Sequence, residues 1–171
     1  IIPDLFSDTE VAAIRSRLPR LFAERSEANI AERNSGVVRT AMGLHLRDAL
    51  FADLVRHPRL IEPARQVLDE PLYVQQVKVN VKAAFTGEVW QWHRDFDTHR
   101  EDDGVPEPRA LNLHILLDKV SEFNGPLYFL PGSHRARDGG SRYDDQTTRS
   151  PLWAADRAGV RKSAARGGLV A

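Results

Sequence analysis

The stretch Val89-Trp90-Gln91-Trp92-His93-Arg94-Asp95-Phe96 sets an imidazole and a carboxylate two residues apart within a run rich in aromatic rings. On a β-strand, side chains at i and i+2 share a face. The spacing therefore predicts that His93 and Asp95 offer donor atoms to one metal ion from the same side. By the same alternation Trp92 and Phe96 point away, as packing residues. The pair is not specific alone. A chain with 6 histidines and 24 acidic residues produces such neighbours by chance, and a surface His beside a solvated Asp is the plain reading. The flanking sequence decides between the two.

Upstream, Tyr73 to Phe85 alternates, with Val77, Val79 and Val81 interleaved with Gln76, Lys78, Asn80 and Lys82. This is a period-two strand with one apolar face, and its polar row reads either as solvent-facing surface or as the lining of a barrel interior. Downstream, Asp97-Thr98-His99-Arg100-Glu101-Asp102-Asp103-Gly104-Val105-Pro106 reads as a polar loop. A second strand is expected from Arg109 to Asp118, where Leu111, Leu113, Ile115 and Leu117 alternate with Asn112 and His114. Asn124-Gly125-Pro126 signals a turn, and a short strand, Leu127 to Leu130, runs into Pro131-Gly132-Ser133-His134.

One imidazole and one carboxylate supply two ligands of a facial triad, the two-histidine, one-carboxylate set with which non-haem Fe(II) oxygenases leave three octahedral positions open. The third ligand has to come from elsewhere. The ordered set Asn80, Trp90-x-Trp92-His93-x-Asp95-Phe96, Asp103-Gly104-x-Pro106, Asn124-Gly125-Pro126-Leu127 and Pro131-Gly132-Ser133-His134 resembles the phytanoyl-CoA dioxygenase superfamily of Fe(II) and 2-oxoglutarate oxygenases. Within that superfamily it is similar to ectoine hydroxylase and to bacterial hydroxylases of free leucine and proline. Arg39 and His45 in Val37-Val38-Arg39-Thr40-Ala41-Met42-Gly43-Leu44-His45 also match, as does Arg56-His57-Pro58-Arg59-Leu60. The likeness runs from about Val37 to His134.

The resemblance implies a mainly β fold with flanking helices, a double-stranded β-helix (jelly roll, cupin-like) that is incomplete in this chain. It implies that His93 and Asp95 bind Fe(II), and that Asn80 and Asn112, with Lys78 and Trp90, contact 2-oxoglutarate. Gln76, Thr98, His99 and Arg39 then face the substrate. Asp97 adds a carboxylate for a substrate amine or guanidinium. The activity implied is hydroxylation of an unactivated C–H bond by O2, with release of succinate and CO2, on a small free amino acid or similar zwitterion. Asp95 argues for hydroxylation, because halogenating relatives carry a small residue there.

Two departures matter. Relatives commonly carry Trp where this chain has His99, which alters the substrate-facing surface. The family's distal His and the Arg that meets the cosubstrate's far carboxylate are absent. The resemblance places both beyond Ala171, and the chain reads as an incomplete copy that also lacks its N-terminal start. His114 and His134 are nearest in sequence, but the family does not use them as the distal ligand. Two other readings stay open: an oxygenase that hydroxylates, desaturates or cyclises a larger natural product, and a metal-free jelly-roll binding protein.

Composition bounds the rest. Lysine plus arginine equals aspartate plus glutamate at 24 each, which gives no electrostatic case for nucleic acid or an anionic membrane. No cysteine is present, and no apolar run approaches a membrane span. A cytoplasmic enzyme acting on a small molecule is expected, with its oligomeric state undetermined. The 171 residues form one expected domain, with a helical scaffold over 1–70, the metal-site core over 71–134 and a mobile loop over 135–150. In the scaffold, Ser7-Asp8-Thr9-Glu10 is a capping box and Val11, Ile14, Leu18, Leu21 and Phe22 form an apolar stripe, with Pro19 as a kink or break. Asp48 to Val55 and Leu60 to Leu68 are further helices that cover the back of the sheet. The basic run Arg157 to Arg166 reads as a solvated face. His57 is expected at a helix boundary, His45 as a packed, hydrogen-bonded side chain, His114 behind the ligands and His134 as a loop tie.

Overall fold

A reciprocal cap starts the first helix. Glu10 donates its N–H to the Ser7 hydroxyl (3.3 Å), and Ser7 returns its own N–H to the Glu10 carboxylate (2.8 Å). In the computed structural model, which describes residues 1–83, 90–135, 142–144, 150–152, 161–162 and 169–170, helix α1 spans Asp8–Ala23. The helix runs through Pro19 instead of breaking there. A proline inside a helix costs about 3 kcal/mol. Burial of Leu21 beyond it, together with Ile14, Ala41, Leu44 and Phe51, offsets that cost, since each large side chain taken from water contributes roughly 1.5–3 kcal/mol.

The chain then forms an antiparallel sheet in the order β1 (Asn29–Ala31), β2 (Val38–Met42), β3 (Lys78–Asn80). Between β2 and β3 lie α2 (Leu44–Arg47), α3 (Ala49–Leu54) and α4 (Pro58–Leu68). Gly43 turns the chain from β2 into α2 at φ 64°, in the left-handed region where a side chain is strained. Asp48 caps α3 by accepting the Leu50 N–H (2.9 Å) and also holds Arg20 (2.7 Å). Burial pushes the Asp48 carboxyl up. The hydrogen bonds from Arg20 and the Leu50 N–H, with the charges of Arg17 and Arg20, outweigh it and keep the group below the ordinary carboxylate value. His57 is the cap of α4, as its position before Pro58 predicts, and its Nδ1 accepts the Arg59 N–H.

Arg47 fastens helix to sheet. Its guanidinium donates to Leu21 O (2.8 Å) and Met42 O (3.1 Å), to Asn29 Oδ1 (3.0 Å) and to the Glu24 carboxylate (2.7 Å). Val77 and Val79 pack on the cluster around Leu21, so the apolar face read from their alternation is the buried one. Leu113, Ile115 and Leu117 likewise pack beside Phe6, Val11 and Leu60.

The strands are shorter than their alternation predicts. Among the described residues of Tyr73 to Phe85 the strand is β3, paired with β2 at Thr40↔Asn80, Ala41↔Val79 and Met42↔Lys78, with the Val81 N–H to Arg39 O and the Gly43 N–H to Val77 O, each 2.8 Å, closing its two ends. Of Arg109 to Asp118, β4 (His114–Ile115) is the part that pairs among the described residues, with β9 (Leu169–Val170). Helical residues outnumber strand residues among the described ones, so the mainly β expectation is met only in part. Residues 84–89 and most of the expected loop 135–150 and basic run 157–166 lie outside the described residues.

Two compact units emerge. One comprises 1–87, 111–125 and 164–171 and holds the elements above. The other comprises 88–110 and 126–163 and holds α5 (Asp95–Asp102). It also contains β5 (Tyr128–Phe129) paired with β8 (Arg161–Lys162), a 3-10 turn at Ser133–Arg135, and β6 (Arg142–Asp144) paired with β7 (Ser150–Leu152). Among the described residues no helix is long and apolar enough to cross a membrane.

Candidate functional site

The His93–Asp95 stretch corrects the strand expectation. Residues 90–94 form no regular element, and Asp95 is the first residue of α5. Charge order explains the outcome: Asp95 and Asp97 in the first turn and His99 and Arg100 in the last both complement the helix dipole. The segment expected to be a polar loop is therefore helical as far as Asp102. There Gly104, at φ 69°, lets the Asp103 and Val105 N–H groups both close on His99 O at 3.1 Å.

The two candidate ligands nevertheless converge. His93 Nε2 stands 3.2 Å from Asp95 Oδ1, with the side chains 28% and 40% exposed. The Gln91 carbonyl can only accept a hydrogen bond, so His93 Nδ1, 2.7 Å from it, carries the donated proton. That bond fixes ring orientation and leaves Nε2 as the nitrogen facing Asp95, as in metal-binding histidines. With metal–ligand bonds of roughly 2.1 Å, donors at adjacent corners of an octahedron stand about 3 Å apart. The spacing and the donor types fit two ligands of a divalent metal. Among the described residues no group of three His, Cys, Asp or Glu side chains is placed to hold one.

On α5, Asp95, Thr98 and His99 fall at i, i+3 and i+4, which puts the two expected substrate residues on the face of the candidate ligand Asp95. His99 Nδ1 donates to Asp103 Oδ2 (2.8 Å). Asp97 is different. Its side chain is 1% exposed and bound at both oxygens by Arg94, with Nε to Oδ2 at 2.8 Å and Nη2 to Oδ1 at 2.9 Å. The carboxylate expected to meet a substrate amine is thus committed to Arg94. Sequence reasoning missed this pair, although an Arg and an Asp three apart at a helix start is its signal. Trp90 is partly exposed.

In the other unit, register puts Thr40, Met42, Lys78 and Asn80 on the sheet face opposite Ala41 and Val79. Gln76 continues the polar row, and all three expected contact residues of that row are exposed. Thr40 donates its hydroxyl to Asn80 Oδ1 (3.0 Å). Arg39 is buried and shares the face of Ala41 instead. Asn112 is exposed just ahead of β4, and His114 is half-buried in it. His45 is half-buried as expected, but its Nδ1 is buried with no hydrogen-bond partner among the described residues. His134 lies exposed in the 3-10 turn.

Comparison with known proteins gives these positions a family. The model of the family described as Phytanoyl-CoA dioxygenase (PhyH) matches residues 1–169. Ectoine dioxygenase of Bordetella bronchiseptica is 41% identical over 139 residues, covering 79% of this chain and 45% of that protein. L-proline trans-4-hydroxylase of Streptomyces griseoviridis is 41% identical over 135 residues, covering 79% and 50%. The chain spans about half the length of the curated relatives it matches. Among solved structures, EctD from S. alaskensis with 2-oxoglutarate and 5-hydroxyectoine superposes with a TM-score of 0.80 at 28% identity, over 97% of this chain and 59% of that one. The form with bound Fe gives 0.79 at 28%, over 97% and 60%. From the N-terminal cap to the last strand, this chain belongs to the phytanoyl-CoA dioxygenase family.

Proposed function

We propose that the chain carries the ligand-bearing part of an Fe(II)- and 2-oxoglutarate-dependent dioxygenase, of jelly-roll architecture, that hydroxylates a C–H bond of a small free amino acid or similar zwitterion. The observation that carries this reading is the His93–Asp95 pair, set at the spacing of adjacent metal ligands with the His93 ring anchored on Gln91 O. The names of the relatives, ectoine dioxygenase and L-proline trans-4-hydroxylase, support the substrate class. When bound, the iron supplies activation of O2, one oxygen atom going to succinate as 2-oxoglutarate loses CO2 and the other to the substrate carbon.

The side chains divide the remaining work. His93 and Asp95 hold the metal. Lys78 offers an ammonium and Asn80 an amide to the carboxylates of 2-oxoglutarate, with Asn112 and Trp90 as further contacts. Thr98 and His99, on the face of α5 that carries Asp95, read the substrate, and Gln76 is a further substrate residue expected from the sequence. Asp97 and Arg39 are buried and take no direct part in this reading.

The test is succinate release by the full-length, iron-loaded protein with 2-oxoglutarate across free amino acids and ectoine, with Asp95→Ala as control. Amino-acid-stimulated turnover that Asp95→Ala loses is the expected result. Turnover with none of them, despite Asp95-dependent iron binding, moves the substrate to a larger natural product. Absence of iron binding overturns the oxygenase reading.

A further inference from the structure

Arg94 sits between the two candidate ligands, at the cap position of α5, yet makes no side-chain cap bond. Its guanidinium goes to Asp97 through two parallel bonds of 2.8 and 2.9 Å, while the Asp97 N–H returns to Arg94 O at 3.1 Å. Backbone and side chains thus close a ring around Asp95 and Phe96. The acceptor is nearly inaccessible to solvent, and the Arg94 side chain is 15% exposed. Screening by water, which reduces most surface ion pairs to a negligible effect, is therefore weak here, and a planar fork on a carboxylate is the most directional pairing a protein has. Arg100 adds a second cation 3.9 Å from Asp97 Oδ1, with its guanidinium over the Phe96 ring at 5.7 Å.

The geometry points to Arg94 and Asp97 as the positioning residues of the metal site, a role that rests on the iron reading above. The ring fixes the backbone from which the Asp95 side chain departs, so its Cβ cannot move away from His93 without breaking both charge-assisted bonds. His93 is joined to Arg94 by one peptide and tied on its other side to Gln91 O. The backbone that carries both donors is therefore held from both ends of the stretch, and the two donor atoms stand 3.2 Å apart. In this reading the pair supplies no ligand atom; it sets the backbone from which the ligands depart.

The test uses the full-length protein and Co(II) alone, followed by its d–d absorption, with thermal unfolding in parallel. Arg94→Lys keeps the charge but loses the fork. Arg94→Met combined with Asp97→Leu replaces the buried pair by apolar groups, a change that often preserves stability. The expected result is a wild type whose Co(II) site requires Asp95. Both variants should then bind Co(II) about tenfold or more weakly, as substitutions behind metal ligands typically do, with an altered spectrum and with the double variant unfolding near the wild-type temperature. Wild-type Co(II) affinity and spectrum in both variants would overturn the positioning role while leaving the metal site standing. A wild type that binds no Co(II), or binds it equally well as Asp95→Ala, would overturn the metal reading and the positioning role together.

Discussion

Thr40→Val isolates what one hydroxyl does for the proposed cosubstrate contact. Thr40 and Asn80 face each other across β2 and β3, and the hydroxyl donates to Asn80 Oδ1 at 3.0 Å. With Oδ1 occupied by a donor, the amide presents its Nδ2 hydrogens outward, the polarity that a ligand carboxylate requires. Valine keeps the branched shape and strand preference and removes only that bond. The stability cost is small. Thr40 is 5% exposed but Asn80 is open to solvent, so water takes the lost place at Asn80 and the net loss stays near the low end of about 0.5–1.5 kcal/mol. The binding cost is larger in relative terms. Asn80 then has to be immobilised by the ligand itself, at about 0.5–1.5 kcal/mol, which corresponds to about 2- to 12-fold in affinity. Initial rates of succinate formation by the full-length protein, measured against 2-oxoglutarate concentration, should show KM raised within that range and kcat little changed. Asn80→Ala sets the ceiling. A folded Thr40→Val protein with the wild-type KM for 2-oxoglutarate would refute the reasoning.

Two further outcomes test the scaffold. Leu21→Ala removes a fully buried side chain from the contact between α1 and β2, and denaturant unfolding should show a loss of about 3–5 kcal/mol; a loss under about 1 kcal/mol would mean that this contact is not packed as described. Hydrogen bonds from Arg59, then from the Ser7 N–H and hydroxyl, lower the Glu10 carboxyl from 4.5 to about 2. A carboxyl depressed by folding stabilises the native state fully above its unfolded value and loses that contribution as pH falls through its folded one. The thermal midpoint of the wild type should therefore drop between about pH 4.5 and about pH 2 more steeply than that of Glu10→Gln, and parallel curves would exclude a role for the Arg59 contact.

What the chain spells out locally is what the structure keeps. Ser7 and Glu10 form the cap their spacing predicts, and Val77 and Val79 bury the face their alternation marks, because both features depend on neighbours within a few residues. Strand lengths were not legible, since a residue in extended conformation counts as sheet only where a partner meets it. The partner of His114 is Val170, far along the chain. The helix at Asp95 was hidden by a different effect. Trp90, Trp92 and Phe96 share one parity and imitate strand period, whereas the deciding terms were the acidic first turn, the basic last turn and the Arg94–Asp97 fork. The pairing of His93 with Asp95 survived the wrong element, because an extended residue followed by the first residue of a helix also brings i and i+2 together.

That substitution of helix for strand changes what the site can do. At the first position of α5, the Asp95 carboxylate lies at the positive end of the helix dipole, which complements a negative charge there. A strand would have handed the next same-face position to Asp97. The helix instead hands it to Thr98 and His99, one turn along, and turns Asp97 inward to Arg94. The proposed metal ligand and the proposed substrate contacts thereby share one helix, whose start is fixed by the buried Arg94–Asp97 ion pair. In the proposed reading, side chains at 98 and 99 can vary with the substrate without moving Asp95. The His99–Asp103 bond lies one turn further along α5 from Asp95, so variation there leaves the proposed ligand spacing alone.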